Sequence, residues 1–328
     1  MKNILFLFCF ISLLSSLNVS SQVSAEHQEY EVKIHTPDTS VVLAGTLLVP
    51  QENYDGTVAL MITGSGNHTR DQVISGTPMF KILAEGLADN GIASLRLDDR
   101  GTAASTGPTA SESTTADRVE DMMAAMEWLR QRDLESFTNI GVLGHSEGAL
   151  ITVMMAAKGI KPDFAILLAA PTRPGSEVWV SQQLEGLKAE GYDNESINKG
   201  EKYLKEAVRL SSGGAKPEEM KENTGLLFKL IGVDPESEEG MANVEGFIAH
   251  MSNPWMRYFL AYDPTSDLDQ LTTPLLAVYG SHDQQTIPEL NAPGLLDGLL
   301  KSGNNNFTIK ILPEQDHFFL RKPGEPVG

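Results

Sequence analysis

Short, almost continuous apolar runs separated by helical patterns constrain this chain more than any other feature. TVALMIT (57–63), IASLRLD (92–98), IGVL (140–143) and FAILLAA (164–170) each hold four to seven residues with hardly a polar interruption. Strands covered on both faces of a parallel sheet read this way, because neither face meets water. Between them lie helical patterns. The first, 78–90, stops at Gly91, and 147–158 stops at Gly159. The pattern over 116–132 follows a Thr114-x-x-Asp117 capping signal. Two alternating, β-branched stretches, 29–35 and 41–50, precede the series. The alternation predicts an α/β domain with a mostly parallel, doubly wound sheet.

The rhythm breaks over residues 174–262, which are rich in Glu, Lys and Gly and hold no buried-strand run. It resumes with PLLAVY (274–279), a helical 289–301 and FTIKIL (307–312). A helical insertion into one domain is expected, with core segments 26–173 and 263–328 on either side. A chain of 328 residues, 41% hydrophobic, can bury one large core plus such a subdomain. Trp179, Leu226, Leu227, Phe228, Phe247, Met251 and Trp255 are the insertion's apolar residues, and they suit its own core better than a pocket wall.

Residues 1–25 look like a secretory leader. Lys2 gives the positive start, 4–17 the apolar stretch, and Val23-Ser24-Ala25 a small-residue cleavage site. The stretch is short for a membrane span, and no later segment is long enough. A secreted or periplasmic location is therefore expected, with a retained N-terminal anchor as the alternative. Cys9, the one cysteine, falls inside the leader. Without it thiol catalysis, disulfides and cysteine-bound metals are excluded. The net charge is −19, and losing the leader removes one Lys and no acid. So acidic a surface repels phosphate backbones and anionic lipid, which argues against a nucleic-acid partner.

The run 140–143 leads into Gly144-His145-Ser146-Glu147-Gly148 and at once into a helical pattern. Gly-x-Ser-x-Gly alone is weak evidence, but between a buried strand and a helix it has the setting of a nucleophile elbow. The small residues let the backbone turn sharply, exposing the Ser146 hydroxyl beside the Glu147 N–H at a helix start, where an oxyanion is favoured. A serine hydroxyl needs a base. Of seven histidines, His317 alone lies after the last strand run, as the order Ser, acid, His of this arrangement requires. His145 beside the serine suits support of the elbow, and His250 falls in the insertion. The acid belongs just past 274–279, where Gly280-Ser281-His282-Asp283 ends in a carboxylate. Asp283 would hold the imidazole's tautomer and steady its charged form. Asp263, Asp267 and Asp269 precede the strand, and Asp316 adjoins the histidine. A second oxyanion donor is expected from MITGSGNHTRD (61–71), as the N–H of Ser65 or of Gly66. No metal or organic cofactor is called for.

These residues resemble the α/β-hydrolase superfamily, and within it secreted bacterial esterases described as serine aminopeptidase-like. GSGNHTRD (64–71), RLDDRGTAAS (96–105), GHSEGAL (144–150) and NPWMRYFLAYDP (253–264), leading to GSHD and DHFF, carry the likeness. The resemblance implies that the insertion is a lid over the active site and that the substrate is a small carboxylic ester of modest acyl length. Two positions depart from it. Ala103 stands where a glycine is common, which predicts a rearranged loop if the turn needs φ > 0. Relatives usually end in a helix packed on the sheet, whereas 318–328 hold two prolines and two glycines and predict none. Alternatives stay open. A peptidase acting on N-terminal residues would use insertion carboxylates such as Glu177, Glu185 or Glu245 to hold a free amine. Thioesters and lactones suit the same machinery. A secreted binding protein that kept the fold without the chemistry is the reading from another class, and the presence of all three triad residues weighs against it.

Overall fold

The computed structural model describes residues 27–38, 40–132 and 137–320. The leader expected over 1–25, its cleavage site and the tail 321–328 lie outside the described residues.

Strand β1 (His27–His35) pairs antiparallel with β2 (Val42–Pro50). The β2 sequence reads as alternating, yet every residue from Leu43 to Pro50 is buried, as befits an inner strand. The wholly apolar β3 (Thr57–Ile62) follows. A small hairpin of β4 (Val73–Ile74) and β5 (Thr77–Pro78), absent from the sequence expectation, closes the next loop. Its turn residues Ser75 and Gly76 sit at φ 48° and 83°, the two positive angles that a type I′ turn needs. Helix α1 (Met79–Asp89) leads to β6 (Ala93–Leu97), and α2 (Thr115–Arg130) to β7 (Asn139–His145). The Thr114 side chain accepts the Asp117 N–H, so the capping signal in the sequence does start α2. Helix α3 (Glu147–Ala157) is buried along most of its length, which matches a helix apolar on all sides. Strand β8 (Ala165–Leu168) ends this half.

The loop between β6 and α2 is not rearranged to avoid Ala103. Ala103 itself takes φ 49°, and Gly101 takes 65°. The Asp98 carboxylate accepts the Ala104 N–H at 3.3 Å, and the Asp98 carbonyl accepts the Ser105 hydroxyl at 2.8 Å. Surrounding bonds thus impose a left-handed conformation that costs an alanine roughly 1–2 kcal/mol.

Residues 173–263 form a compact unit of their own. It comprises α4 (Gly175–Ala189), α5 (Asn194–Ser212), α6 (Pro217–Leu230), α7 (Glu238–Ser252) and α8 (Pro254–Ala261). The Phe247 ring meets Trp179 at 6.2 Å and Phe228 edge-on at 6.0 Å, and Met251 is buried. Leu226 is exposed, unlike its neighbour Leu227.

The other unit continues with α9 (Thr265–Leu268), β9 (Leu275–Gly280), α10 (Pro288–Lys301) and β10 (Phe307–Leu312). Among the described residues no helix follows β10. The main sheet has eight strands in the order β1-β2-β6-β3-β7-β8-β9-β10, parallel from β6 to β10. The chain leaves β3 for β6 on one side and returns to β7 on the other. That reversal opens a crevice at the carboxyl ends of β3 and β7, the usual ligand position in such sheets. Ala149, Val153, Leu167, Tyr279 and Leu295 form one core cluster, and Met61, Phe80, Leu143 and Leu168 another.

Candidate active site

Strand β7 delivers Ser146 to the crevice, at φ 53° and ψ −117°. A non-glycine residue pays roughly 1–3 kcal/mol for such a conformation, so its surroundings must enforce it. A Cβ on Gly144 would stand 2.3 Å from the Gly148 carbonyl oxygen, and one on Gly148 would stand 2.1 Å from that of Ile62. Only glycine at both places lets α3 begin this close to β7 and β3. The Ser146 N–H donates to the Leu168 carbonyl at 2.8 Å, and its carbonyl accepts from Ala149 and Leu150 at 3.0 and 3.2 Å.

The loops after β9 and β10 bring up the other two residues. Gly280 allows their crossing, since a Cβ there would fall 2.3 Å from the Gln315 carbonyl. His317 Nε2 stands 3.0 Å from Ser146 Oγ, and His317 Nδ1 stands 2.8 Å from Asp283 Oδ2. The other Asp283 oxygen accepts the N–H groups of Gln285 and Thr286, both at 2.8 Å. Both side chains are buried. Asp316 does not orient the ring: one of its oxygens accepts the N–H groups of Phe318 and Leu320, each at 2.9 Å. His282 is exposed.

His145 is buried against His317, with ring centroids 4.9 Å apart. Its Nδ1 accepts from Gln72 Nε2 at 2.7 Å, and its Nε2 donates to the His317 carbonyl at 2.9 Å. Burial, and then the neighbouring His317, push its pKa down to about 3, so the ring stays neutral. It therefore holds the backbone of His317 and is not itself positioned as a charged group. Gln72, which no sequence signal marked, links this pair to the loop after β3, its Oε1 accepting the Gly64 N–H at 3.2 Å.

Ile62 pairs with Gly144 across β3 and β7, so the loop after β3 emerges beside the elbow. A Cβ on Gly64 would lie 3.4 Å from the Ser146 Cβ, whereas one on Gly66 would meet only His68 Nε2, at 3.6 Å. Of the two N–H groups singled out above, that of Ser65 thus belongs to the peptide against Ser146. The His68 ring donates to the Ser65 carbonyl at 2.8 Å, and burial lowers its pKa.

Beneath the loop lies a buried ionic cluster that the sequence did not disclose. Arg118 of α2 is 3% exposed and donates to Gly64 O at 2.9 Å, Thr63 O at 3.1 Å and Glu147 Oε2 at 2.9 Å. Burial opposes its charge, but the Asp99 and Glu147 carboxylates outweigh that and raise its pKa. An arginine in an amphipathic helix gives no local sign that it will be buried. Among the described residues no three His, Cys, Asp or Glu side chains are grouped to hold a metal ion, and no helix is long and apolar enough to cross a membrane. The site brings together a hydroxyl, a ring nitrogen 3.0 Å from it and a carboxylate behind the ring.

The family described as serine aminopeptidase, S33, matches residues 76–321. Esterase EstD of Thermotoga maritima is 26% identical over 283 residues, which make up 86% of this chain and 59% of that protein. The chain thus spans less than two thirds of that relative. The esterase Pf2001 of Pyrococcus furiosus shares the fold with a TM-score of 0.56 at 14% identity, over 92% of this chain and 89% of that one. Est1E of Butyrivibrio proteoclasticus, solved with ferulic acid, gives 0.51 at 18% identity, over 88% and 91%. Proline iminopeptidase of Mycobacterium smegmatis gives 0.54 at 14% identity, over 88% and 92%.

Proposed function

Because the chain belongs to the serine aminopeptidase S33 family of the α/β-hydrolases, we propose that it cleaves carboxylic esters through an acyl-enzyme on Ser146. The observation that carries this reading is the line Ser146 Oγ, His317 Nε2, His317 Nδ1, Asp283 Oδ2, with gaps of 3.0 and 2.8 Å, behind a strained elbow. The curated esterase relative supports an ester over a peptide bond. His317 takes the hydroxyl proton as Ser146 Oγ adds to the ester carbonyl. The N–H groups of Glu147 and Ser65 receive the oxyanion, and Asp283 steadies the imidazolium. Collapse breaks the bond to the alcohol, which leaves with the proton from His317. Water, deprotonated by the same ring, then releases the acid. Short to medium acyl chains are the proposed substrates. The leader pattern supports action outside the cytoplasm.

The test is labelling by a fluorophosphonate, with peptide mapping and turnover of p-nitrophenyl esters of graded acyl length. Labelling at Ser146, abolished in Ser146→Ala and His317→Ala, is expected. A folded wild-type protein that neither labels nor turns over esters would overturn the proposal. Faster turnover of aminoacyl p-nitroanilides than of esters would replace it with the aminopeptidase reading that the family's description favours.

A further inference from the structure

Among the described residues, Arg118 is a buried cation that the triad gives no role, and it contacts both the loop after β3 and the elbow. We infer that Arg118 is a positioning residue for the oxyanion hole. By holding the Gly64 carbonyl it fixes the plane of the Gly64–Ser65 peptide and so aims the Ser65 N–H at the acyl oxygen over Ser146. This rests on the ester-hydrolase reading and adds to it the device that sets the second donor.

The argument begins with the peptide unit. In a trans peptide the C=O and N–H point to opposite sides, so whatever grips the carbonyl of Gly64 decides where the N–H of Ser65 points. A glycine at 64 leaves that plane easy to rotate unless something holds it. Arg118 holds it from below, with Nη1 on Gly64 O at 2.9 Å and Nη2 on Thr63 O at 3.1 Å. Successive carbonyls of an extended strand alternate in direction. Here two in a row converge on one planar fork, a geometry suited to a guanidinium and beyond a compact ammonium.

The fork is itself immobilised. Nη1 also donates to Glu147 Oε2 at 2.9 Å, and Nη2 to Thr63 Oγ1 at 2.8 Å and Asp99 Oδ1 at 3.2 Å. Thr115 Oγ1 donates to Glu147 Oε1 at 2.6 Å, and Thr63 Oγ1 to Asp99 Oδ1 at 2.6 Å. Asp99 Oδ2 accepts the N–H of His68 at 2.9 Å, tying down the far end of the loop. Glu147 is also the residue whose N–H is the first donor, and its peptide is set by the Ser146 carbonyl, which accepts from Ala149 and Leu150. One guanidinium therefore spans the two segments that supply the hole.

Two variants test this. Arg118→Lys keeps the charge and loses the fork. The double variant Arg118→Gln with Glu147→Gln removes one charge of each sign and leaves the cluster's net charge unchanged. Arg118→Met would strand two buried carboxylates and is not expected to fold, so it is not relied on. With a p-nitrophenyl ester, both test variants are expected to lose about 10²–10³-fold in kcat, the loss typical of one oxyanion donor. KM should stay within about threefold, because the interaction is made in the transition state. Inhibition by a trifluoromethyl ketone with the same acyl chain, which adds to Ser146 and leaves an oxyanion, should weaken by the same factor. The pH of half-maximal kcat/KM should not move, since the His317–Asp283 pair is untouched. The inference is overturned if variants that unfold at the wild-type temperature keep kcat within about tenfold, or if the double variant, which also lacks the fork, keeps the activity that Arg118→Lys loses, since the fork would then not be what aims the donor. An inactive, unlabelled wild type would instead overturn the ester reading itself.

Discussion

Asp283→Asn shows how tightly a single residue's chemistry is specified here. The N–H groups of Gln285 and Thr286 both donate to Asp283 Oδ1, so an asparagine would place its carbonyl oxygen there. Its NH2 would then face His317 Nδ1, the ring's proton would shift to Nε2, and the ring could not take the proton of Ser146. Turnover of a p-nitrophenyl ester should fall about 10⁴-fold with folding intact. A loss under about tenfold would mean that Asp283 does not set the tautomer. Ser146 and His317 were legible because each stood at a recognisable place relative to the apolar runs. His145 was legible as a neighbour of the nucleophile, but its grip on the His317 carbonyl was not. That bond joins residues 172 positions apart, and no periodicity reports it.

Two positions in the turns put the local backbone to the test. Gly148→Ala would press its methyl group against the Ile62 carbonyl, 2.1 Å from the Cβ site. It should cost about 1–3 kcal/mol in chemical unfolding and lower the rate of labelling at Ser146, because α3 must back away from β3. Ala103→Gly should act in the opposite sense. Relief of φ 49° outweighs the added freedom of the unfolded chain, for a gain of up to about 1 kcal/mol and a rise in Tm of about 2 °C. A fall in Tm would show that the left-handed alanine carries no strain. Sequence reasoning found every strand of the main sheet, since burial leaves an apolar run in the inner strands and alternation marks the exposed β1. It missed the β4–β5 hairpin, whose two-residue strands are too short for any period and whose turn places Ser75, and not only a glycine, at positive φ.

For the whole molecule, the buried His145 contributes to the response to acid. His145 has a folded pKa of about 3 against an unfolded value of 6.5, and burial lowers those of His68 and His250 as well. The unfolded chain therefore binds more protons below pH 6.5, and stability is full above that value and falls as the pH drops through it. His145 alone should account for about 2 kcal/mol lost between pH 6.5 and 5. In urea titrations at the two pH values, His145→Gln should shrink the difference by about that amount, and an unchanged difference would mean the ring is not held neutral. By itself the sequence determined the alternation of strand and helix, the interruption by a helical segment, and the order serine, acid, histidine, because those signals are local: side-chain period, turn chemistry and position along the chain. Only the tertiary structure decided that Gly64 lies beside Ser146, that Arg118 is buried against that loop, and that Gln72 joins it to His145. Each of those depends on residues brought together by the β3–β7 pairing and the sheet's reversal of direction, and contacts between segments so far apart leave no trace in the pattern of either one.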